Sequence, residues 1–178
     1  MPVAYKPKQI NRRTTILKSY TPAQVLPHQS TMLLIDRIVS WDNDHIQTTA
    51  GLIHNNLFDP GDGSVSSLIC MEYLCQSAAA HAGIRQLEQG KPVTIGFIIG
   101  ARKIEINEAA FQAGETFCVF VEQTFRDEGG IGIYDCALYH LDTEKYGSER
   151  IAYGNIKAVM PDNPEDVISR SNRKARYR

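Results

Sequence analysis

The hydrophobic positions of the chain form several short runs on either side of one long apolar segment. The runs Met32–Trp41 and His45–Ile53 are rich in Leu, Ile, Val and Thr, and the Asp and Asn residues at 42–44 between them favour a turn. These two runs therefore predict a β-hairpin. Four further strands are predicted, separated by turns that contain glycine: Val93–Ile106, Glu115–Arg126, Ile131–Leu141 and Arg150–Val159. Long strands joined by short turns are typical of an antiparallel meander.

The long apolar segment, Ser64–Leu87, predicts a helix. Ser64 suits its N-cap, and the Gly-Lys-Pro sequence at 90–92 would end it. A helix that is apolar on nearly all sides must be enclosed by other structure. One short helical turn is predicted at Thr21–Val25, where a threonine cap precedes proline. The predicted architecture is α+β, an antiparallel sheet wrapped around one long central helix, which is the arrangement of the hotdog fold.

Charge is distributed unevenly along the 178 residues, although the formal net charge is only −1. Residues 1–19 and 169–178 each carry five Lys or Arg and no acidic residue, which leaves nine basic and twenty acidic residues between them, a balance of −11. An acidic body argues against a nucleic-acid-binding domain. We predict an extended basic N-terminal tail at 1–20, a hotdog domain at 21–160 and a basic C-terminal tail at 161–178.

The compartment is predicted from signals that the sequence lacks. The N-terminus shows no apolar run typical of a signal peptide, and the long apolar segment carries too many polar side chains for a membrane span. The cysteines show neither a C-x-x-C pair nor a metal-ligand spacing, so they are expected to be reduced core residues: Cys70, Cys75, Cys118 and Cys136. These observations predict a cytoplasmic protein without a metal site.

Glu72 is the most unusual side chain of the predicted helix. It is the only charged residue between Asp62 and Arg85. Burial disfavours the charged form of a carboxyl group, and a carboxyl that keeps its proton near neutral pH can act as a general acid. Gln76 lies one turn later on the same helix face, where it could orient Glu72. The alternative is that Glu72 serves a dimer interface or a buried hydrogen-bond network.

Three motifs resemble those of the 3-hydroxyacyl-[acyl carrier protein] dehydratases, in the same order and at matching spacings. Leu26–Arg37 is similar to the L-P-H segment that opens that family's domain. Glu72 and Gln76, with two alanines behind them, are similar to its central-helix E-x-x-x-Q motif, and Gly100–Ile104 is similar to the strand that follows. The resemblance covers about residues 21–160 and indicates the hotdog superfamily.

This resemblance implies the chemistry of the family. A histidine removes a proton from C2 of the acyl thioester, and a helix Glu or Asp from the other subunit protonates the departing 3-hydroxyl group. Backbone N–H groups at the helix start hold the thioester carbonyl. The implied partners are an acyl carrier protein and a second hotdog subunit, as a homodimer or heterodimer, and no metal or redox cofactor is needed. Arg102 and Lys103 could meet the acidic carrier protein or merely solvate a strand edge.

The sequence departs from the family at the position of the catalytic histidine. Counting along the motif places Phe58 there, and the Pro-Gly pair at 60–61 keeps the count free of gaps. Ser67 stands where a backbone N–H would meet the thioester carbonyl. The resemblance therefore implies four substrate-binding residues: Phe58, Gly61, Ser67 and Gln76. Phenylalanine cannot act as a base, so the catalytic base must come from another residue of this chain or from a partner subunit.

His28 is the first candidate for the missing base, because the family's L-P-H segment lies beside the substrate channel. Alternatively, its imidazole anchors the loop that carries it. His54 and Asp59 are closer to Phe58 in sequence, but they are weaker candidates, as an exposed loop histidine and a turn residue respectively. His81, farther along the predicted helix, is expected to be a hydrogen-bonded core residue.

Phe58, Gly63–Val65 and Met71–Gln76 also resemble a divergent hotdog subgroup associated with aryl-polyene-type pigment assembly. We therefore predict dehydration of a 3-hydroxyacyl thioester to a 2-enoyl thioester, with Glu72 as acid and His28 as base. One alternative is a hotdog thioesterase, in which the helix carboxylate activates water or attacks the thioester. Another is a degenerate subunit whose site is completed by a histidine-bearing hotdog partner.

Overall fold

The computed structural model describes residues 19–52, 58, 61–161 and 164, so most of both predicted tails lies outside the described residues. Its helices are α1 (Pro22–Val25), α2 (Cys70–Glu88) and α3 (Thr143–Tyr146), with 3₁₀ turns at Ser30–Met32 and Ser67–Ile69. Its strands are β1 (Arg37–Trp41), β2 (His45–Gly51), β3 (Ser64–Ser66), β4 (Phe97–Ile106), β5 (Ala110–Gln112), β6 (Thr116–Arg126), β7 (Ile131–His140) and β8 (Arg150–Val159). Within this described part of the chain, no helix is long and apolar enough to cross a membrane.

Six strands form one antiparallel sheet in the order β1-β2-β6-β7-β8-β4. The strands β6, β7 and β8 form the predicted meander, and β4 pairs with β8 at the far edge. The short strands β3 and β5 pair separately as a two-stranded ribbon. The long helix α2 packs against β2, β6 and β7. The predicted hotdog architecture, an antiparallel sheet with one long helix packed against it, is confirmed.

Strand β2 shows how the sequence directs its faces. Ile46, Thr48 and Ala50 point into the core, and the residues between them are partly exposed. This period of two is what a strand with one buried face requires. Because Thr48 is polar, its hydroxyl needs a partner, which it finds in the hydroxyl of Ser77 on α2 at 2.7 Å. The pair ties the helix to the sheet.

Small side chains let α2 approach its neighbours closely. Ala78, Ala80 and Gly83 are all buried. A Cβ atom on Gly83 would lie 1.9 Å from the carbonyl oxygen of Val25, so only glycine allows α1 to pack this close to α2. The contact fixes the end of α1 and the start of the loop that carries His28.

The first predicted strand was too long at its start. Met32–Trp41 was predicted as a strand, but residues 30–32 form a 3₁₀ turn and β1 begins only at Arg37. The backbone N–H of Leu34 donates to the side chain of Gln76 instead of to a neighbouring strand. The apolar residues between 32 and 36 therefore belong to a loop that is held by a helix side chain.

The predicted start of the long helix at Ser64 was also wrong. Ser64–Ser66 pairs with Ala110–Gln112 as a β-ribbon, and a 3₁₀ turn follows before α2 begins at Cys70. This partner lies more than forty residues away in sequence, so no local pattern revealed it. The later start places Glu72 in the first turn of the helix.

Strand β4 forms one edge of the main sheet. Most of its residues are exposed on both faces, including Ile98 and Ile99 at 48% and 49% exposure. Among the described residues, β4 pairs with β8 on one side and with no strand on the other. An apolar, unpaired edge of this kind is a template for pairing with another chain.

Candidate active site

Glu72 lies at the open end of α2, and its side chain is 36% exposed. The prediction that it lies enclosed within an apolar helix was wrong, because α2 begins at Cys70, only two residues earlier. Its carboxylate is directed towards the loop between α1 and β1, where it approaches His28 and Gln76. The desolvation expected from the sequence is therefore incomplete, and neighbouring side chains define the site instead.

Gln76 holds Glu72 in place. Its Nε2 donates to Glu72 Oε1 at 2.8 Å and to the carbonyl oxygen of Met32 at 2.7 Å. Its Oε1 accepts from the backbone N–H of Leu34 at 2.9 Å. The side chain is fully buried and both N–H groups are used, so Gln76 is a positioning residue for Glu72. The resemblance also implied that Gln76 contacts the substrate. That contact stays a prediction, and both N–H groups of the Gln76 amide already donate to other groups.

His28 meets Glu72 within the same chain. Its Nε2 lies 3.7 Å from Glu72 Oε1, and its side chain is 30% exposed. Its Nδ1 is buried without a hydrogen-bond partner among the described residues. The family resemblance implied that acid and base come from different subunits. Here, the two candidate groups come together across one loop and one helix start.

An apolar cavity of about 280 Å³ opens beside His28. The helix contributes Cys75, Ala79 and Ala82 to its wall, which follow Glu72 along one helix face at intervals of three and four residues. Residues 94–96 before β4, Ile98 on β4 and residues 158–160 at the end of β8 supply much of the opposite wall. The small side chains of α2 leave room for an extended apolar group that runs along the helix away from the His28–Glu72 pair.

The segment before α2 contains three of the predicted substrate-binding residues. Phe58 is 39% exposed, and Gly61 is exposed with a φ of 107°, a conformation that favours glycine. Ser67 is buried, and its N–H donates to the carbonyl oxygen of Ala109 at 3.2 Å. This N–H is already occupied, so the prediction that it meets a thioester carbonyl does not hold in this conformation.

The other histidines of the described structure have different surroundings from those of His28. His81 is fully buried, its Nε2 lies 3.0 Å from the carbonyl oxygen of Asp42, and burial lowers its pKa. The prediction of a core histidine is therefore confirmed. His45 lies between the carboxylates of Asp42 and Glu122, at 3.1 and 3.5 Å. The candidates His54 and Asp59 lie outside the described residues.

The cysteines are unsuited to nucleophilic catalysis. All four are free thiols, and three of them are buried. Burial raises the pKa of Cys70 to about 12 and that of Cys75 to about 11. Since the thiolate is the reactive form, neither group is activated at neutral pH. The prediction that the cysteines lie largely in the core is confirmed by the burial of Cys70, Cys118 and Cys136.

Among the described residues, one group of side chains could hold a metal ion. Glu108, Glu115 and His140 each offer a ligand atom, and these atoms lie within 4.8 Å of one another. The Nε2 of His140 lies 2.9 Å from Glu108 Oε1, and its ring stacks on Tyr146 at 4.1 Å. Hydrogen bonding and stacking account for these contacts.

Comparison with known proteins supports the resemblance seen in the sequence. The ApeP-like family model, described as ApeP dehydratase, matches residues 20–169. The solved dehydratase heterocomplex ApeI:P from Xenorhabdus doucetiae is similar with a TM-score of 0.77 and 17% identity, over 87% of this chain and 99% of that chain. No curated protein sequence matches the chain significantly.

Two further solved structures share the fold at lower similarity. A sigma28-regulated virulence protein from Campylobacter jejuni has a TM-score of 0.58 and 15% identity, over 80% of this chain and 96% of that chain. The E. coli PaaI protein of the phenylacetic acid degradation operon has a TM-score of 0.50 and 15% identity, over 69% and 81% of the two chains. The structures confirm the fold, and the family model spans most of the sequence. The chain therefore belongs to the ApeP-like dehydratase family.

Proposed function

We propose that this chain removes water from a 3-hydroxyacyl thioester during assembly of an aryl-polyene-type chain, with His28 as general base and Glu72 as general acid. The observation that carries the proposal is the approach of His28 Nε2 to Glu72 Oε1, 3.7 Å, beside an apolar cavity. A base and an acid at this separation can reach C2 and the 3-hydroxyl group of one substrate. The apolar cavity would receive the rest of the acyl chain.

The proposed reaction needs one proton on the pair at the start. His28 Nε2 takes the proton from C2, and the electron pair of that C–H bond forms the double bond between C2 and C3. The C3–O bond breaks, and Glu72 gives its proton to the departing oxygen, so water and a 2-enoyl thioester leave. Gln76, through its 2.8 Å hydrogen bond, holds the Glu72 carboxyl group in one orientation during the transfer.

The same geometry supports a simple reset. After turnover His28 carries the extra proton and Glu72 is ionised. Because 3.7 Å separates the two atoms, the proton can return directly after a small side-chain movement or through one water molecule. Both side chains are about one-third exposed, which leaves space for that water once the product has gone.

The proposed thioester handle is an acyl carrier protein. Arg102 and Lys103 are exposed on β4 and are the cations proposed to meet its acidic surface. Reversing both charges should raise KM for a carrier-bound substrate and leave KM for a short thioester analogue unchanged. Equal effects on both substrates would contradict this docking role.

The acid and base roles are tested by Glu72→Gln and His28→Gln. Each variant should fold normally and lose about 100-fold or more in kcat, because each removes one proton-transfer group. The chain contains a matched control pair, His45 and Glu122, whose Nε2 and Oε1 lie 3.5 Å apart with side-chain exposures of 29% and 36%. His45→Gln and Glu122→Gln should retain full activity. A fully active Glu72→Gln variant would refute the mechanism.

A second function is supported by Phe58 and by the open edge of β4. Phe58 stands at the family's histidine position and is 39% exposed, and the ApeI:P structure is a heterocomplex. In this alternative, a second hotdog subunit pairs along β4 and supplies the histidine, while this chain contributes Glu72. Activity that appears only after a histidine-bearing partner is added, and that survives His28→Gln, would favour this alternative.

A further inference from the structure

The apolar cavity beside His28 adjoins a second, polar cavity of about 350 Å³. The two cavities share five lining residues: Ala82, Thr94, Gly130, Tyr134 and Met160. Along α2, the wall changes from Cys75 and Ala79 to Arg85 and Gln86. The helix rises about 15 Å between Glu72 and Ala82, where this change occurs. An acyl chain that extends along α2 would therefore reach polar surroundings at its far end.

Three side chains at this boundary form a directed hydrogen-bond chain. Arg85 Nη1 donates to Gln123 Oε1, and Gln123 Nε2 donates to the hydroxyl oxygen of Tyr134 at 2.9 Å. Arginine can only donate, so it fixes which end of the Gln123 amide faces Tyr134. The Tyr134 oxygen acts as an acceptor in this chain. Its own O–H proton has no acceptor among the described residues.

The environment of Tyr134 makes this free O–H group significant. The side chain is only 5% exposed, although it lines both cavities. Burial raises its pKa to about 12, so the hydroxyl keeps its proton at physiological pH. A buried donor without an acceptor costs free energy. Hydrogen bonds in a chain polarise one another, so the chain that starts at the Arg85 cation makes the Tyr134 hydroxyl a stronger donor.

The polar cavity carries charges of both signs. Arg85, Lys91 and Arg126 are balanced in part by Asp127 and Glu128. A fully charged ligand group of either sign would therefore meet both attraction and repulsion. A neutral oxygen acceptor, such as a hydroxyl, ether or carbonyl oxygen, fits this mixed field and the O–H group of Tyr134.

We propose that Tyr134 is a specificity residue that donates a hydrogen bond to a neutral oxygen on the far part of the acyl chain, about 15 Å along α2 from Glu72. Gln123 and Arg85 are positioning residues that direct the Tyr134 proton into the cavity. This inference rests on the proposed dehydratase function, and it adds that the preferred acyl chain is apolar along its length and carries oxygen near its end.

The test compares two 3-hydroxyacyl thioesters of equal length, one with a terminal hydroxyl group and one with a terminal methyl group. The wild-type protein should prefer the hydroxyl-bearing chain. Tyr134→Phe keeps the ring and removes the donor, so it should lower kcat/KM about tenfold for that chain and leave the methyl-ended chain nearly unchanged. Tyr153→Phe, on the neighbouring strand β8, serves as the control and should change neither value. Equal losses on both chains, or no loss on either, would overturn the proposal.

A binding measurement separates this inference from the catalytic proposal. The same two chains without the 3-hydroxyl group cannot be dehydrated, and their Kd values can be measured by calorimetry. Tyr134→Phe should weaken binding of the oxygen-bearing chain about tenfold and that of the methyl-ended chain little. If Tyr134→Phe changes neither Kd, the specificity role is wrong, whatever the activity of the protein. If the wild type dehydrates neither hydroxyacyl chain but Tyr134→Phe has the expected effect on Kd, the specificity role stands and the proposed reaction fails.

Discussion

At the scale of single residues, Gln76 determines the geometry of the candidate site. Its three hydrogen bonds join Glu72 to the loop that contains Met32 and Leu34, and His28 lies in that loop. The sequence motifs predicted Glu72, Gln76 and His28 as one group, because their residue types and spacings together resemble a known pattern. The exposure of Glu72 could not be predicted, since it depends on where the helix begins.

Tyr134 illustrates the opposite case. A tyrosine in an apolar strand predicts packing, and the sequence offered no reason to expect more. Its free O–H proton follows from the directions of two hydrogen bonds that start at Arg85, on a different element. The direction of such a chain is a property of the folded structure and leaves no local pattern in the sequence.

His81 predicts a pH dependence of stability. Burial lowers its pKa below the ordinary value of 6.5, although Asp42 and Asp44 act in the opposite direction. The unfolded chain therefore binds the proton more readily, and stability falls as the pH decreases from about 6.5 through the lowered pKa. Above pH 6.5 this contribution to stability is fully present.

Urea unfolding at several pH values measures this effect. His81→Gln keeps a donor for the Asp42 carbonyl oxygen and removes the titration, so its stability should depend less on pH below 6.5. An unchanged pH slope in His81→Gln would contradict the account of His81.

At the scale of elements, the sequence predicted the long strands better than the short ones. Arg150–Val159 was predicted with its observed bounds, and β6 and β7 each differ from the prediction by one residue at one end. The three-residue ribbon of β3 and β5 was missed, because each strand is stabilised by a distant partner. The short helix α3 was predicted as a turn, since four residues carry almost no helical period.

The contact between α1 and α2 gives a prediction at this scale. Gly83→Ala would place a methyl group 1.9 Å from the carbonyl oxygen of Val25, and backbone atoms cannot rotate away. We expect a loss of about 1–3 kcal/mol in the free energy of unfolding, with lower activity because the His28 loop follows α1. Gly129→Ala, where the nearest atom would be 3.5 Å away, should change stability by less than about 0.5 kcal/mol. If urea unfolding gives the two variants the same free energy of unfolding, the contact between Gly83 and Val25 does not hold α1 in place.

At the scale of the whole molecule, the open edge of β4 indicates assembly with a second chain. The sequence predicted pairing of subunits from the general need of a sheet to cover its edges. The structure adds the location, an outer strand with two half-exposed isoleucines, Ile98 and Ile99.

Disruption of this edge tests the assembly. Ile98→Asp/Ile99→Asp should weaken self-association or partner binding at least tenfold in analytical ultracentrifugation, because two charges would be buried at the interface. Phe125→Asp provides the control, since Phe125 is 48% exposed but lies on the interior strand β6. If only the control variant dissociates, the interface lies elsewhere.

The central claim is that this chain dehydrates an acyl thioester with its own His28–Glu72 pair. Intact-protein mass spectrometry of a carrier protein loaded with a 3-hydroxyacyl group, before and after addition of the pure protein, tests it most directly. We predict the loss of one water molecule with the acyl group still attached, and no such loss with Glu72→Gln. Release of the acyl group would indicate a thioesterase instead. An unchanged mass that shifts only when a histidine-bearing hotdog partner is added would contradict the claim that the chain's own pair suffices.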